Sequence, residues 1–265
     1  MGEHWVFPNR AARKFDFMSG RNYSILPFFA LNLMTNISSN LSQIKADIEA
    51  TCRKVGRASK TVKLLAVSKT RSEDELKAAM AAGHRDFGEN YLQEALDKVR
   101  DLDGPIWHFI GAIQSNKTRD IAANFDWVHS VSSLKVARRL SEQRLSNPET
   151  TKKMPIQVLL QINLSGEDSK SGMTPKEAGH TVDVARQYEG IKLRGLMTIP
   201  EASEDNALLR NRFSTLRDLK DELARCYDLP DFNELSMGMT QDYPIAIEEG
   251  ATWIRIGTAI FGPRA

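Results

Sequence analysis

The sequence has little cysteine, no long apolar segment and almost no surplus of charge. Its two cysteines, Cys52 and Cys226, are not spaced as CxxC, so the 265 residues contain neither a disulfide framework nor a zinc motif. No apolar run approaches the roughly 20 residues that a membrane-spanning helix needs. We therefore expect a protein of the reducing cytoplasm, with no membrane partner and no bound metal.

Positive and negative charges are nearly balanced, with 36 basic and 34 acidic residues. The whole surplus lies in residues 1–33, because residues 34–265 contain 32 residues of each sign. A neutral body without a basic stripe argues against nucleic acid as a partner. The remaining composition, 41% hydrophobic and 26% charged, is typical of a globular protein.

Residues 1–33 differ in character from the rest of the chain. They lack helical periodicity and lead into a short apolar run, ILPFFALNLM, that follows scattered positive charge and extends to Met34. A targeting peptide is one interpretation of this pattern. We favour a disordered leader or a misassigned start, with Met34 as the natural start and residues 34–265 as the folded domain.

From Met34 onward, strand-like and helix-like segments alternate. A first helix is predicted at 37–56, and eight strands are predicted at 63–70, 84–90, 106–111, 127–132, 156–165, 193–200, 234–240 and 253–262. Alternating β and α units predict a parallel sheet, and eight of them fit a single (β/α)₈ barrel. We expect no helix after strand eight, so the 37–56 helix would cover the seam between strands eight and one. A doubly wound open sheet is the alternative, although no GxGxxG follows the first strand.

Lys69 lies at the carboxyl end of the first predicted strand, where barrels of this type carry functional residues. Partial burial favours the neutral form of a lysine, and a neutral amine is a nucleophile that forms a Schiff base with an aldehyde or ketone. A lysine that extends to solvent or pairs with a carboxylate is an equally good interpretation of this strand alone.

The last two predicted strands end in groups suited to an anion. Arg255 interrupts an apolar run and cannot lose its charge, so it needs a bound partner. Gly257 and Thr258 offer backbone N–H groups and a hydroxyl, and Ser236 and Gly238 lie on strand seven, at the rim where many barrels hold phosphate. A tight strand-to-loop turn would explain each motif alone. Together with a Schiff-base lysine, they match the aldehyde, ring nitrogen and phosphate of pyridoxal phosphate.

The chain also contains seven motifs that resemble, in order, those of the pyridoxal phosphate homeostasis proteins (YggS type). They are AVSKT, FGENYLQEA, WHFIGAIQSNK, NLSGEDSKSG, GLMTIP, ELSMGMTQDY and RIGTAIFG. The resemblance implies a single barrel related to the N-terminal domain of alanine racemase, with Lys69 carrying pyridoxal phosphate as a Schiff base. It further implies that Asn90 lies beside the ring and Arg255 faces the pyridine nitrogen. Ser236, Gly257 and Thr258 would hold the phosphate.

Two of the polar residues in these motifs have ordinary structural interpretations as well. Asn90 is positioned to cap a helix that begins at Tyr91. His108, on an apolar strand, is expected to be a hydrogen-bonded core residue and not an acid–base group. At the rim, the pairs 112–113 and 240–241 depart from the residues usual in the family.

Two features favour a carrier over an enzyme. An arginine at the pyridine nitrogen keeps that nitrogen unprotonated, which weakens the ring as an electron sink. Racemases with a related barrel use a tyrosine from a following β-domain, and this sequence ends at Ala265 without one. The resemblance likewise implies a role in intracellular pyridoxal phosphate homeostasis without established catalysis. We therefore predict a monomeric, non-catalytic carrier, with pyridoxal phosphate-dependent apoenzymes as recipients. A low-activity amino-acid racemase is the runner-up, and a cofactor-free Schiff-base aldolase is third.

Overall fold

The computed structural model is a barrel in which each of eight strands is followed by a helix. It describes residues 28–146, 148, 154–164, 171–201 and 203–263. Most of the predicted leader, residues 1–27, therefore lies outside the described residues.

The eight strands are all parallel and pair in sequence order, with β8 closing on β1. They are β1 (Lys63–Val67), β2 (Asp86–Glu89), β3 (Ile106–Phe109), β4 (Trp127–Val131), β5 (Ile156–Gln161), β6 (Ile191–Met197), β7 (Glu234–Ser236) and β8 (Trp253–Ile256). The predicted (β/α)₈ barrel is confirmed, and the open-sheet alternative is wrong because the sheet has no edge.

A long helix precedes the barrel, and one helix follows each strand. They are α1 (Phe28–Lys54), α2 (Glu73–Ala81), α3 (Leu92–Asp101), α4 (Thr118–Asn124), α5 (Leu134–Ser146), α6 (Pro175–Ala185), α7 (Asn206–Cys226), α8 (Tyr243–Glu248) and α9 (Thr258–Phe261). The capping boxes of α2 and α6 follow from the sequence, since Ser72 with Glu75 and Thr174 with Glu177 bond reciprocally at the helix starts. No helix in the described ranges is long and apolar enough to cross a membrane.

Helix α1 covers the seam of the barrel, as expected. Its buried face presents Ile37, Leu41, Ile44 and Ile48, and the helix packs against α2, α8 and α9. It begins at Phe28, so the last six residues of the predicted leader are already helical. Gly56 follows the end of α1 with a φ of 69°. This left-handed backbone conformation terminates helices and is usually adopted by glycine.

Each predicted strand extends beyond the carboxyl end of the observed strand. In the last predicted strand, 253–262, the second half is a helix and not a strand. Strand β8 stops at Ile256, and Thr258–Phe261 forms the short helix α9 that we did not expect. Apolar residues in this segment are buried by helical packing, since Ile260 and Phe261 join the core. Apolar content alone did not distinguish a strand from a short buried helix.

Most of the hydrophobic core lies between the strands and the surrounding helices. A second, smaller apolar cluster is formed by Leu65, Ile110 and Trp253, with Val67 and Trp127 packed against it. The same interior contains fully buried polar side chains, including His108 and His129. The barrel interior is therefore partly polar, which bears directly on the site above it.

Candidate functional site

A cleft of about 280 Å³ opens at the carboxyl ends of the strands. This is close to the lower limit of about 300 Å³ for small-molecule pockets. Its lining includes five of the six predicted site residues: Lys69, Asn90, Arg255, Gly257 and Thr258. These residues follow or end strands β1, β2 and β8, so the barrel brings together side chains that are far apart in the sequence. The sixth, Ser236, does not line the cleft.

Lys69 is carried by the turn between β1 and α2, two residues beyond the last strand residue. Its side chain is half-buried and lines the cleft. Arg71 ties this turn to the end of α9, because its guanidinium donates to the carbonyl oxygens of Phe261 (3.3 Å) and Pro263 (3.2 Å). The loops after β1 and β8 are thereby joined at one wall of the cleft.

Asn90 presents a buried amide oxygen, Oδ1, that has no hydrogen-bond partner among the described residues. The predicted capping role is wrong, since Tyr91 occupies the cap position of α3 without a side-chain bond. A side chain at Gly111 would place its Cβ 2.0 Å from the backbone oxygen of Asn90, so only glycine permits this approach. A buried acceptor without a partner is costly, and a ligand in the cleft can satisfy it.

Arg255 is a buried cation at the floor of the cleft, with 4% of its surface exposed. Its Nη1 donates to Ser236 Oγ (2.8 Å) and its Nη2 donates to the carbonyl oxygen of Thr198 (2.9 Å). In the part of the chain that the structure covers, no carboxylate pairs with it directly. Burial lowers the pKa of Arg255 to about 10, opposed by the charge of Asp242. The guanidinium is therefore charged at neutral pH and retains further N–H donors for a ligand.

Ser236 lies beneath Arg255 and is fully buried. Its hydroxyl accepts from Arg255 and lies 2.9 Å from Nδ1 of His129. This position supports the guanidinium from below, while the predicted contact of Ser236 with phosphate stays a prediction.

A chain of hydrogen bonds continues from Ser236 through the barrel interior to the amino-terminal end of the strands. His129 Nε2 lies 3.0 Å from His108 Nδ1, and His108 Nε2 lies 3.1 Å from Asp86 Oδ1. The prediction that His108 is a hydrogen-bonded core residue is confirmed. Burial lowers the pKa of His108, and it lowers that of His129 well below the usual value, so both rings are neutral near pH 7.

The two end groups of this chain of hydrogen bonds, Arg255 and Asp86, determine which group donates in each bond. A guanidinium only donates and a carboxylate only accepts, so each group must donate to the next on the way from Arg255 to Asp86. Ser236 then donates to Nδ1 of His129, and both imidazoles carry their proton on Nε2. Chemically, the chain connects the cation of the cleft to a carboxylate at the opposite end of the barrel.

Other residues of the cleft were not predicted from the sequence. They are Val67, Arg71, Ile110, Ile199, Met239 and Thr240. Thr240 could have been predicted to line the cleft, because it lies at the rim and departs from the residue usual in the family. The apolar members carry no local signal, because only closure of the barrel brings them together.

Comparison with known proteins is consistent with this geometry. The family model described as "Alanine racemase, N-terminal domain" matches residues 39–265. A solved alanine racemase from Corynebacterium glutamicum shares the fold, with a TM-score of 0.66 at 18% identity over 87% of this chain and 62% of that one. The fold and the lysine-bearing rim thus define a barrel of the alanine racemase N-terminal class.

More similar proteins narrow the assignment. The pyridoxal phosphate homeostasis protein of Pseudomonas aeruginosa is 49% identical over 233 residues, which is 87% of this chain and 97% of that protein. The protein of the same name from Escherichia coli K12 is 40% identical over 237 residues, 87% and 98% of the two chains. PipY of Synechococcus elongatus, solved with PLP bound, is 34% identical with a TM-score of 0.74 over 85% of this chain and all of that one. The chain belongs to the pyridoxal phosphate homeostasis protein family.

Proposed function

We propose that this protein binds pyridoxal 5'-phosphate in the cleft, holds it covalently on Lys69 and takes part in intracellular pyridoxal phosphate homeostasis without catalysing a reaction of its own. One observation carries the proposal: the barrel brings a half-buried lysine and a buried, charged arginine to one small cleft. An amine and a fixed cation are the groups that an aldehyde-bearing pyridine phosphate requires.

The residues of the cleft fit this cofactor. Asn90 Oδ1 is a buried acceptor without a partner among the residues that the structure describes. Gly257 lines the cleft, and a Cβ there would lie 3.2 Å from the backbone oxygen of Val67, so glycine fits this close approach of β8 to β1 without crowding. The proposed roles are Schiff-base formation for Lys69, a contact beside the ring for Asn90 and donation to the pyridine nitrogen for Arg255. Phosphate binding is proposed for Gly257 and Thr258. For Ser236, which is buried below the cleft with its hydroxyl bonded to Arg255 and His129, support of Arg255 is proposed, and any contact with the phosphate requires its hydroxyl to leave His129.

When bound, pyridoxal phosphate supplies an aldehyde that condenses with the lysine amine and releases one water molecule. The protein supplies the amine on a rigid turn and a cation whose own hydrogen bonds are anchored to Ser236 and Thr198. Because Arg255 donates and stays charged, it disfavours a proton on the ring nitrogen, which argues for binding over carbanion chemistry.

We also propose that the protein works as a monomer in the cytoplasm and passes its cofactor to pyridoxal phosphate-dependent apoenzymes. The names of its relatives describe pyridoxal phosphate homeostasis, which supports a role in handling the cofactor. The balanced charge of residues 34–265 supports the absence of a nucleic-acid partner. Residues 1–33 are proposed to be a leader that the cofactor site does not need.

The test compares wild type with Arg255→Gln and Arg255→Glu at one pH, using cofactor affinity, the absorption spectrum and an amino-acid racemisation assay. Wild type should bind without racemising. The glutamine variant still donates to the ring nitrogen and should bind more weakly with the same spectrum. The glutamate variant favours a protonated ring nitrogen, so its spectrum should shift and slow racemisation should appear. Identical affinity and spectra in all three, or turnover by wild type, would contradict the proposal.

A further inference from the structure

The turn that carries Lys69 is held from both sides by three charged residues, Glu89, Glu94 and Lys98, which we call the clamp. Before Lys69, the carbonyl oxygen of Ser68 accepts from Lys98 Nζ at 2.7 Å. After Lys69, the N–H of Thr70 donates to Glu94 Oε1 at 2.6 Å. The two backbone groups that flank the lysine are thus bonded to side chains of the next βα unit.

The clamp is itself internally bonded and largely buried. Lys98 Nζ donates to Glu89 Oε1 (2.8 Å) and to Glu94 Oε1 (2.6 Å), which together with Ser68 uses all three ammonium hydrogens. Only 7% of the Lys98 side chain is exposed, and Glu89 is fully buried. Ser68 Oγ adds a bond of 2.7 Å to the same oxygen of Glu89. The ammonium of Lys98 is thus fully bonded, whereas the other oxygen of Glu89, Oε2, has no partner among the described residues. Because these charged groups are largely buried, breaking a bond of the clamp is costly, and the clamp restrains the groups that it contacts.

The turn needs this restraint because its backbone is strained. Thr70 has a φ of 63°, in the left-handed region that a β-branched residue rarely adopts. Such conformations cost free energy and persist only where the surroundings hold them. The described contact that holds the Thr70 N–H is the carboxylate of Glu94.

We propose that Glu94, supported by Lys98, is a positioning residue for the reaction of Lys69: it holds the strained turn so that the amine is directed into the cleft. The inference rests on the proposed attachment of pyridoxal phosphate to Lys69. Glu94 acts through the backbone of Thr70 and not through contact with the cofactor. A positioning role predicts that the acceptor oxygen matters and the charge does not.

The experiment uses the full chain with Glu94→Ala, which removes the acceptor, and Glu94→Gln, which keeps an oxygen and removes the charge. Glu142→Ala is the matched control, because it removes an exposed carboxylate from another (i, i+4) ion pair, with Arg138 on α5. In cofactor-free protein, hydrogen exchange of the Thr70 amide is measured by NMR. With added pyridoxal phosphate, the rate of adduct formation on Lys69 is measured by borohydride quenching and mass spectrometry.

In Glu94→Ala, we expect the Thr70 amide to exchange about tenfold faster and the adduct to form about five- to tenfold more slowly, the factors that correspond to loss of one hydrogen bond of ordinary strength. Glu94→Gln should lie within about threefold of wild type in both measurements, and the control should match wild type.

A purely electrostatic effect of Glu94 predicts the opposite change in the rate of adduct formation, so the experiment distinguishes it from positioning. Removing a negative charge near a lysine favours its neutral, reactive form, so both Glu94 variants would then react faster. Equal rates in wild type and Glu94→Ala, or equal acceleration in both variants, would overturn the positioning role. If wild type itself forms no adduct on Lys69, the proposed function fails instead, while the amide exchange still reports on the turn.

Discussion

Acidification should destabilise this fold because buried histidines remain neutral in it. His129 is fully enclosed, and its pKa is lowered first by burial and then by the nearby His108, Arg255 and Lys63. In the unfolded chain a histidine titrates near pH 6.5. Below that pH the unfolded state binds more protons than the folded state, so stability falls as the pH falls. The stability that neutral His129 contributes is fully present above about pH 6.5.

The magnitude follows from this difference in proton binding. Between pH 7.5 and pH 5.5, a histidine that stays neutral in the fold and titrates normally when unfolded loses about 1.4 kcal/mol of stability. Burial also lowers the pKa of His84 and His108, so the three groups together lose at most about 4 kcal/mol over this range. That is a large share of the 5–15 kcal/mol typical of a domain.

The assay is urea unfolding at pH 7.5 and pH 5.5 for wild type, His129→Asn and the control His180→Gln, whose ring is exposed on α6. The asparagine variant starts from lower stability, so only the loss between the two pH values is compared. It should lose about 1.4 kcal/mol less than wild type, while the control loses as much as wild type. A His129→Asn loss equal to that of wild type would refute a neutral His129. Imidazole NMR should show both interior rings protonated on Nε2, and a proton on Nδ1 of either would refute the direction of the chain.

Three further predictions concern the cleft, the loops and the leader. Asn90→Ala should weaken cofactor binding about fivefold without changing the melting temperature of the cofactor-free protein, since Oδ1 has no described partner; a drop in melting temperature would show that the side chain is structural. In urea unfolding, Gly238→Ala should destabilise the protein by roughly 1–3 kcal/mol more than Gly83→Ala. Both glycines have a positive φ, but a Cβ at Gly238 would lie 2.6 Å from the Cβ of Ala246, whereas one at Gly83 would meet nothing within 4 Å. Equal losses of stability would contradict this overlap. A chain that starts at Met34 should bind pyridoxal phosphate with the affinity of the full chain and melt at the same temperature, and a clear loss of either would show that residues 1–33 contribute.

The sequence could predict the parts of this molecule that depend on local pattern. Alternating apolar strands and capped helices specify the barrel, and Ser72 and Thr174 mark helix starts by the bonds their side chains make. Lys69 and Arg255 could be recognised as candidate site residues, because a charged side chain in or beside an apolar strand is costly unless it has a partner. Their meeting at one cleft then follows from the parallel sheet.

The rest depends on closure of the barrel and could not be predicted locally. Ser236 looks like a rim residue in the sequence, but strand β7 ends there and directs its side chain below Arg255. The contact between His129 and His108 depends on the pairing of β3 with β4. Likewise, Glu94 looks like an ordinary exposed helix residue until the strained turn at Thr70 is placed beside it.

The proposed function depends on covalent attachment of the cofactor to Lys69. Its most direct test is borohydride reduction of the protein loaded with pyridoxal phosphate, followed by peptide mapping. We expect one reduced adduct, on Lys69, and no adduct in a folded Lys69→Ala variant. An adduct on a different lysine, or undiminished labelling of Lys69→Ala, would contradict the assignment of this cleft as the site of covalent attachment.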